Sequence, residues 1–130
     1  MHIESPKKTI DKSPETIYNF LNDVNNYKKL MPDSISKFEI LNEKRFLFAL
    51  KGMPDIVLEL KNSVPYNKVV LGAASDKLPF TLTANIKELT ENSSEASFEF
   101  EGEFNAMMSM MIKGPITKFI QTLAENLQTI

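Results

Sequence analysis

Ala96-Ser-Phe-Glu-Phe-Glu-Gly-Glu-Phe104 alternates apolar and acidic residues and runs directly into Asn105-Ala-Met-Met-Ser-Met-Met-Ile-Lys-Gly-Pro-Ile-Thr-Lys-Phe-Ile-Gln-Thr-Leu-Ala-Glu-Asn-Leu127. The first segment has the two-residue period of a strand with one face buried. In the second, Met107, Met108, Met111, Ile112, Ile116, Phe119, Ile120, Leu123 and Leu127 recur at helical spacing and form one apolar stripe. Gly114-Pro115 should kink this helix or split off its first turns, because proline removes a hydrogen-bond donor and crowds the preceding turn. A chain that closes this way suggests a curved sheet gripping an amphipathic helix.

Working backwards, strands dominate. Phe80, Leu82, Ala84 and Ile86 alternate with Thr81, Thr83, Asn85 and Lys87. Val69, Val70 and Leu71 form a short strand after a turn at Pro65-Tyr-Asn67, and Ser75-Asp-Lys77 should end it. Ile56, Leu58 and Leu60 share one strand face, beyond a turn at Gly52-Met-Pro-Asp55. Phe46, Phe48 and Leu50 mark another strand, and Phe38 and Ile40 the one before it. Glu91-Asn-Ser-Ser94 reads as a turn, and Gly102 as a bulge or bend.

Near the start, residues 2–11 form the expected first strand. Ser13 can cap a helix, Pro14 suits its first position, and Glu15 its positive end. Ile17, Phe20 and Leu21 give that helix an apolar face. A second short helix carries Val24, Tyr27, Leu30 and Met31 on one side and stops at Pro32. With no helices between the later strands, the sheet should be antiparallel.

Composition narrows the function. At 130 residues, 42% of them hydrophobic, the chain suits one domain spanning residues 1–130 with a real core. Fifteen basic and 17 acidic residues are well mixed, so charge gives no case for nucleic acid or an anionic membrane. Arg45 is the only arginine, which excludes clamps built on several guanidinium groups. The absence of cysteine excludes disulfides, thiolate metal sites and cysteine nucleophiles. No apolar run approaches the ~20 residues that cross a bilayer. The N-terminal residues lack a signal peptide's apolar run, so a cytoplasmic location is the expectation.

The order of elements, together with Lys12-Ser-Pro-Glu-Thr-Ile-Tyr-Asn-Phe-Leu-Asn-Asp23, the following Leu30-Met-Pro and the closing Gly114-Pro-Ile, resembles the START-like superfamily. That group includes the polyketide cyclase/dehydrase and lipid-transport family and the birch-pollen-allergen proteins. These words report capping and packing rather than chemistry. The resemblance implies an α+β helix-grip fold, with about seven antiparallel strands curved around a long C-terminal helix. Two short helices would lie between strands 1 and 2, and a cavity between sheet and helix. It fixes fold better than function. The intracellular fatty-acid-binding barrel is the nearest competitor, but it lacks the long C-terminal helix.

Candidate chemistry is sparse. The single histidine, His2, lies at the N-terminus, where a frayed surface position is expected. Glu99, Glu101 and Glu103 share one strand face at ~6.7 Å spacing and do not converge as a hard cation requires. They read as a solvated outer face, partly neutralised by lysines such as Lys87 on the neighbouring strand. Asp23, Asp33 and Asp55 lie at helix ends or turns, where capping explains them. No triad, phosphate loop or metal-ligand spacing occurs, so no catalytic residue, metal or cofactor is expected.

The leading expectation is a non-enzymatic binder or carrier of a small hydrophobic molecule such as a lipid, isoprenoid or aromatic compound. Leu58, Phe80, Phe98, Met108, Met111 and Phe119 would line its cavity, with Tyr27 and Met31 at the entrance. Four of the seven methionines fall at 107, 108, 110 and 111, and flexible, polarizable thioethers conform to varied apolar ligands. A methionine stripe equally well fills a core. Two alternatives follow: a cyclase- or dehydratase-like enzyme using tyrosine or aspartate, or an interaction module with a filled core, with homodimer formation left open.

Overall fold

The apolar alternation is organised into one antiparallel sheet, described with the rest of the chain in a computed structural model that covers residues 1–53, 55–74 and 80–130. The strands are β1 (His2–Glu4), β2 (Lys8–Ile10), β3 (Ile35–Ile40), β4 (Arg45–Leu50), β5 (Ile56–Leu60), β6 (Lys68–Ala73), β7 (Phe80–Thr90) and β8 (Ser93–Gly102). Helix α1 (Pro14–Leu21) and a 3-10 helix (Val24–Leu30) lie between β2 and β3, and α2 (Ala106–Leu127) closes the chain. The sheet order is β1-β8-β7-β6-β5-β4-β3, with β2 also paired to β8. The expected strand break at Ser75-Asp-Lys77, like Pro54 of the expected turn, lies outside the described residues.

The sheet has eight strands rather than about seven, because residues 2–11 form two. Pro6 has no N–H to give a ladder, and Ser5 takes over locally. Its backbone N–H donates to the Phe98 carbonyl at 2.8 Å, and its Oγ accepts from the Phe98 N–H at 2.8 Å. Between the Glu4–Glu99 and Lys8–Ala96 pairs the N-terminal segment advances four residues and β8 only three. This bulge keeps Ile3 and Ile10 both buried on either side of the interruption.

The helical caps follow the sequence. Ser13 Oγ accepts from the Thr16 N–H at 3.2 Å, and Asp23 Oδ1 from the Asn25 N–H at 3.0 Å. The turn before β8 is shorter than expected. Ser94 belongs to the strand, where its buried hydroxyl donates to the Lys12 carbonyl at 2.8 Å. Pro115 does not split α2, which is helical from Ala106 to Leu127. Thr117 Oγ1 donates to the Lys113 carbonyl at 2.6 Å beside the proline, an added bond to the helix backbone.

The concave face of the sheet packs against α2, chiefly through β8, while α1 and the 3-10 helix cover one end. There Ile17, Leu21, Val24, Leu30, Ile120, Leu123 and Leu127 form a dense core with Phe46 and Phe98. Side-chain bonds fasten this end further. Asn126 Nδ2 donates to the Leu30 carbonyl at 2.9 Å, and Gln128 Nε2 to the Thr9 carbonyl at 3.0 Å. Ile116 is the first buried residue of α2, so everything N-terminal to it in the helix is only partly covered.

Candidate functional site

A cavity of about 350 Å³ lies under the uncovered first half of α2. The helix is positioned there by Asn105, whose Oδ1 accepts from the Met108 N–H at 2.8 Å. Met108, Met111, Ile112, Ile116 and Phe119 form the helix wall. Leu58, Leu82, Phe80 and Phe100 form the sheet wall, because inward positions of β5, β7 and β8 converge there. Phe104 and Met53 close over the rim, and the Phe48 and Phe119 rings make the floor, stacked at 4.9 Å with 9° between their planes.

Gly102 shapes the mouth. A Cβ there would lie 2.7 Å from Phe104 Cε2 and 2.8 Å from Phe80 Cβ. Only glycine leaves room for the Phe104 ring to fold back and stack on Phe100, at 6.1 Å between centroids. Phe80 packs against the same Phe100 ring at 5.1 Å. These three aromatic rings form a continuous wall at the open end.

Five residues expected to line the cavity are brought together here: Leu58, Phe80, Met108, Met111 and Phe119. Three lie elsewhere. Tyr27 is not at an entrance but fully buried, with its ring stacked on Phe46 at 5.0 Å and its hydroxyl donating to the Leu21 carbonyl at 2.7 Å. Phe46 in turn packs on Phe48, so two rings separate Tyr27 from the cavity. Burial pushes the Tyr27 hydroxyl pKa upward and keeps it protonated. Met31 caps the 3-10 helix, its N–H donating to the Lys28 carbonyl at 3.4 Å, and packs on the core edge. Phe98 lies on β8 two residues farther from the mouth than Phe100 and is fully enclosed by the core.

Phe48, Phe100, Leu82, Ile112 and Ile116 also line the cavity. Alternation and helical period already turn these side chains inward. What they lack is a sequence signal for depth, since one strand passes from filled core to open cavity with no change of period.

Among the described lining residues, Asp55 is the only ionisable one. It lies exposed at the rim, with Lys37 Nζ 3.2 Å from its Oδ2. No buried side-chain nitrogen or oxygen among the described residues lacks a hydrogen-bond partner.

The acidic stripe of β8 faces away from the cavity, and its principal partner differs from the expected lysine. His2 Nε2 lies 3.2 Å from Glu4 Oε1 and 3.3 Å from Glu99 Oε2, with Glu101 Oε2 4.0 Å from Nδ1. Pairing of β1 with β8 holds His2 opposite Glu101, so the histidine is tethered in the sheet rather than frayed. Lys87 stands opposite Glu95 in the β7–β8 register, and Lys7 Nζ lies 4.0 Å from Glu95 Oε1.

No protein-family model and no curated protein matches the chain. Solved structures do. A START superfamily protein from Mycobacterium smegmatis aligns with a TM-score of 0.70 and 14% identity, over 98% of this chain and 94% of that one. The chain has the START-like helix-grip fold. A Thermus thermophilus protein shares that fold, with a TM-score of 0.72 and 11% identity over 99% of this chain and 95% of its own. Norcoclaurine synthase from Thalictrum flavum, solved with dopamine and hydroxybenzaldehyde, aligns with a TM-score of 0.72 and 10% identity, over 99% of this chain and 84% of the enzyme. Among the described residues, no helix is long and apolar enough to cross a membrane.

Proposed function

We propose that this START-like domain binds and carries a small hydrophobic molecule in the cavity between the sheet and the first half of α2. The observation that carries this reading is the lining: methionine, phenylalanine, leucine and isoleucine side chains around about 350 Å³ of open space. Ligand pockets typically span roughly 300–1,000 Å³ and are mostly apolar. The cavity sits at the small end of that range, which favours a compact isoprenoid, a single acyl chain or an aromatic compound over a diacyl lipid. Affinity would come from apolar surface removed from water, at about 25 cal/mol per Å² before the costs of association. Leu58, Phe80, Met108, Met111 and Phe119 are the proposed contacts.

The likeness to a synthase that holds two small aromatic molecules is compatible with an aromatic ligand. A cyclase-like reaction would call for an acid or base facing the ligand. Asp55, the ionisable side chain on the described lining, sits in solvent beside Lys37, which weighs toward carriage over catalysis. A surface for another chain is the second reading, favoured by the exposure of Met107 and Met110.

Organic extraction of freshly purified native protein, followed by mass spectrometry beside a cavity-free control protein, tests the proposal. A stoichiometric apolar compound found only with this protein supports carriage and identifies its class. An extract matching the control, together with no uptake of any apolar probe, would sink the carrier reading.

A further inference from the structure

The rim of the cavity is unusual in its sulfur chemistry. The chain has seven methionines and no cysteine, so thioethers are its only oxidisable sulfurs. Three of them, Met107, Met110 and Met111, occupy neighbouring positions on one exposed side of α2, at i, i+3 and i+4. They are 74%, 84% and 63% exposed, whereas Met31, Met53 and Met108 are partly covered. Met111 is distinctive within the trio, because it also lines the cavity. One sulfur is therefore open to a soluble oxidant and placed where a ligand would be covered.

We propose that Met111 is a peroxide-oxidation site that lowers the affinity of the cavity for apolar ligands. The inference rests on the binding role proposed above. In the reaction the thioether sulfur attacks one peroxide oxygen and the O–O bond breaks. The S–O bond forms, and the second oxygen leaves as water with both peroxide protons. Sulfur loses two electrons and the peroxide gains them. The product is a polar, chiral sulfoxide that methionine sulfoxide reductases reverse.

The effect on binding follows from where the new oxygen lies. In the empty protein it is solvated. A bound apolar molecule would strip that water, and the nearby lining residues Ile112, Ile116 and Phe104 offer no side-chain donor to replace it. Burying an unpaired polar group on this scale corresponds to about a tenfold loss of affinity. Met107 and Met110 are not on the cavity lining, so their oxidation should leave affinity unchanged. The fold should persist, because the second half of α2 carries its buried contacts.

The test treats the full chain with limiting hydrogen peroxide and maps sulfoxides by peptide mass spectrometry. Uptake of the neutral dye N-phenyl-naphthylamine is titrated before and after. Met107, Met110 and Met111 should oxidise ahead of Met31 and Met53, dye affinity should fall about tenfold, and a sulfoxide reductase should restore it. The Met107→Leu/Met110→Leu chain should show the same fall. Met111→Leu, referred to its own untreated affinity, should show little or none. A thioether persisting at Met111 after Met107 and Met110 have reacted would overturn the proposal. So would unchanged affinity with Met111 fully oxidised, an undiminished fall in Met111→Leu, or a fall accompanied by loss of the thermal unfolding transition. A parent chain that takes up no dye overturns the binding role and the affinity claim with it, while the peptide map judges the oxidation separately.

Discussion

The two halves of α2 belong to one continuous helix yet meet different surroundings. From Ile116 to Leu127 the inward stripe is buried: Ile116, Phe119, Ile120, Leu123, Ala124 and Leu127 all sit in the core. From Ala106 to Pro115 no residue is fully buried, although the inward stripe continues through Met108, Met111 and Ile112. The second half has the 3-10 helix packed against it, where Asn126 Nδ2 donates to the Leu30 carbonyl, together with the buried Tyr27–Phe46 stack. Among the described residues, the first half faces the end of the sheet where the cavity lies. The same helical period thus produces a core at one end and a ligand-sized space at the other. What differs is the partner elements, not the pattern.

Truncations should separate the halves most sharply. Leu123→Ala removes a fully buried side chain and should cost about 2–5 kcal/mol. Met110→Ala, at 84% exposure, should change stability by no more than about 0.5 kcal/mol. Chemical denaturation of both variants reads the contrast, and equal costs would break it.

Tyr27→Phe comes next. It leaves the Leu21 carbonyl without its hydroxyl donor in the filled half, so about 1–3 kcal/mol should be lost while dye uptake at the open end stays as it was. The same residue gives a pH signature. An unfolded tyrosine titrates near 10, whereas burial holds the folded Tyr27 protonated to higher pH. Above that point the unfolded chain binds fewer protons than the folded one, so stability falls as pH rises, by at most about 1.4 kcal/mol per pH unit from this group. Unfolding free energies between pH 8 and 11 should bend downward in the parent by more than in Tyr27→Phe, and identical curves would argue against the burial of this hydroxyl.

The smallest effect lies on the outer face, away from both halves. His2→Ala breaks a cluster whose histidine is 47% exposed, and should cost less than about 1 kcal/mol. A larger loss would mean that the β1–β8 pairing depends on these side chains rather than on its backbone bonds.

Much of this was legible in the sequence. Alternation along β4–β8 and the period of α2 are local consequences of burying one face, so they appear in the order of residues. Ser13, Asp23 and the Phe residues of β8 behave as their positions suggest. What was not legible is distance along an element. Phe98 and Phe100 are equivalent by alternation, but one is sealed in core and the other lines the cavity, because only the tertiary arrangement fixes where α1 and the 3-10 helix stop. Tyr27 looks like a residue with a polar tip for a ligand, yet its hydroxyl is satisfied by the Leu21 carbonyl six residues earlier. The division of the first strand at Ser5-Pro6 was written in the proline's missing donor, although the way Ser5 restores pairing with Phe98 depends on a partner 93 residues away.

Carriage of an apolar molecule requires that the space under the first half of α2 admit one. Titration of N-phenyl-naphthylamine into the parent chain and into Met111→Trp tests it most directly, because the indole should fill the mouth from a position that contributes little to the core. Saturable one-to-one uptake by the parent and its loss in Met111→Trp are expected, with the two chains unfolding at similar temperatures. Equal dye affinity in a folded Met111→Trp would contradict it.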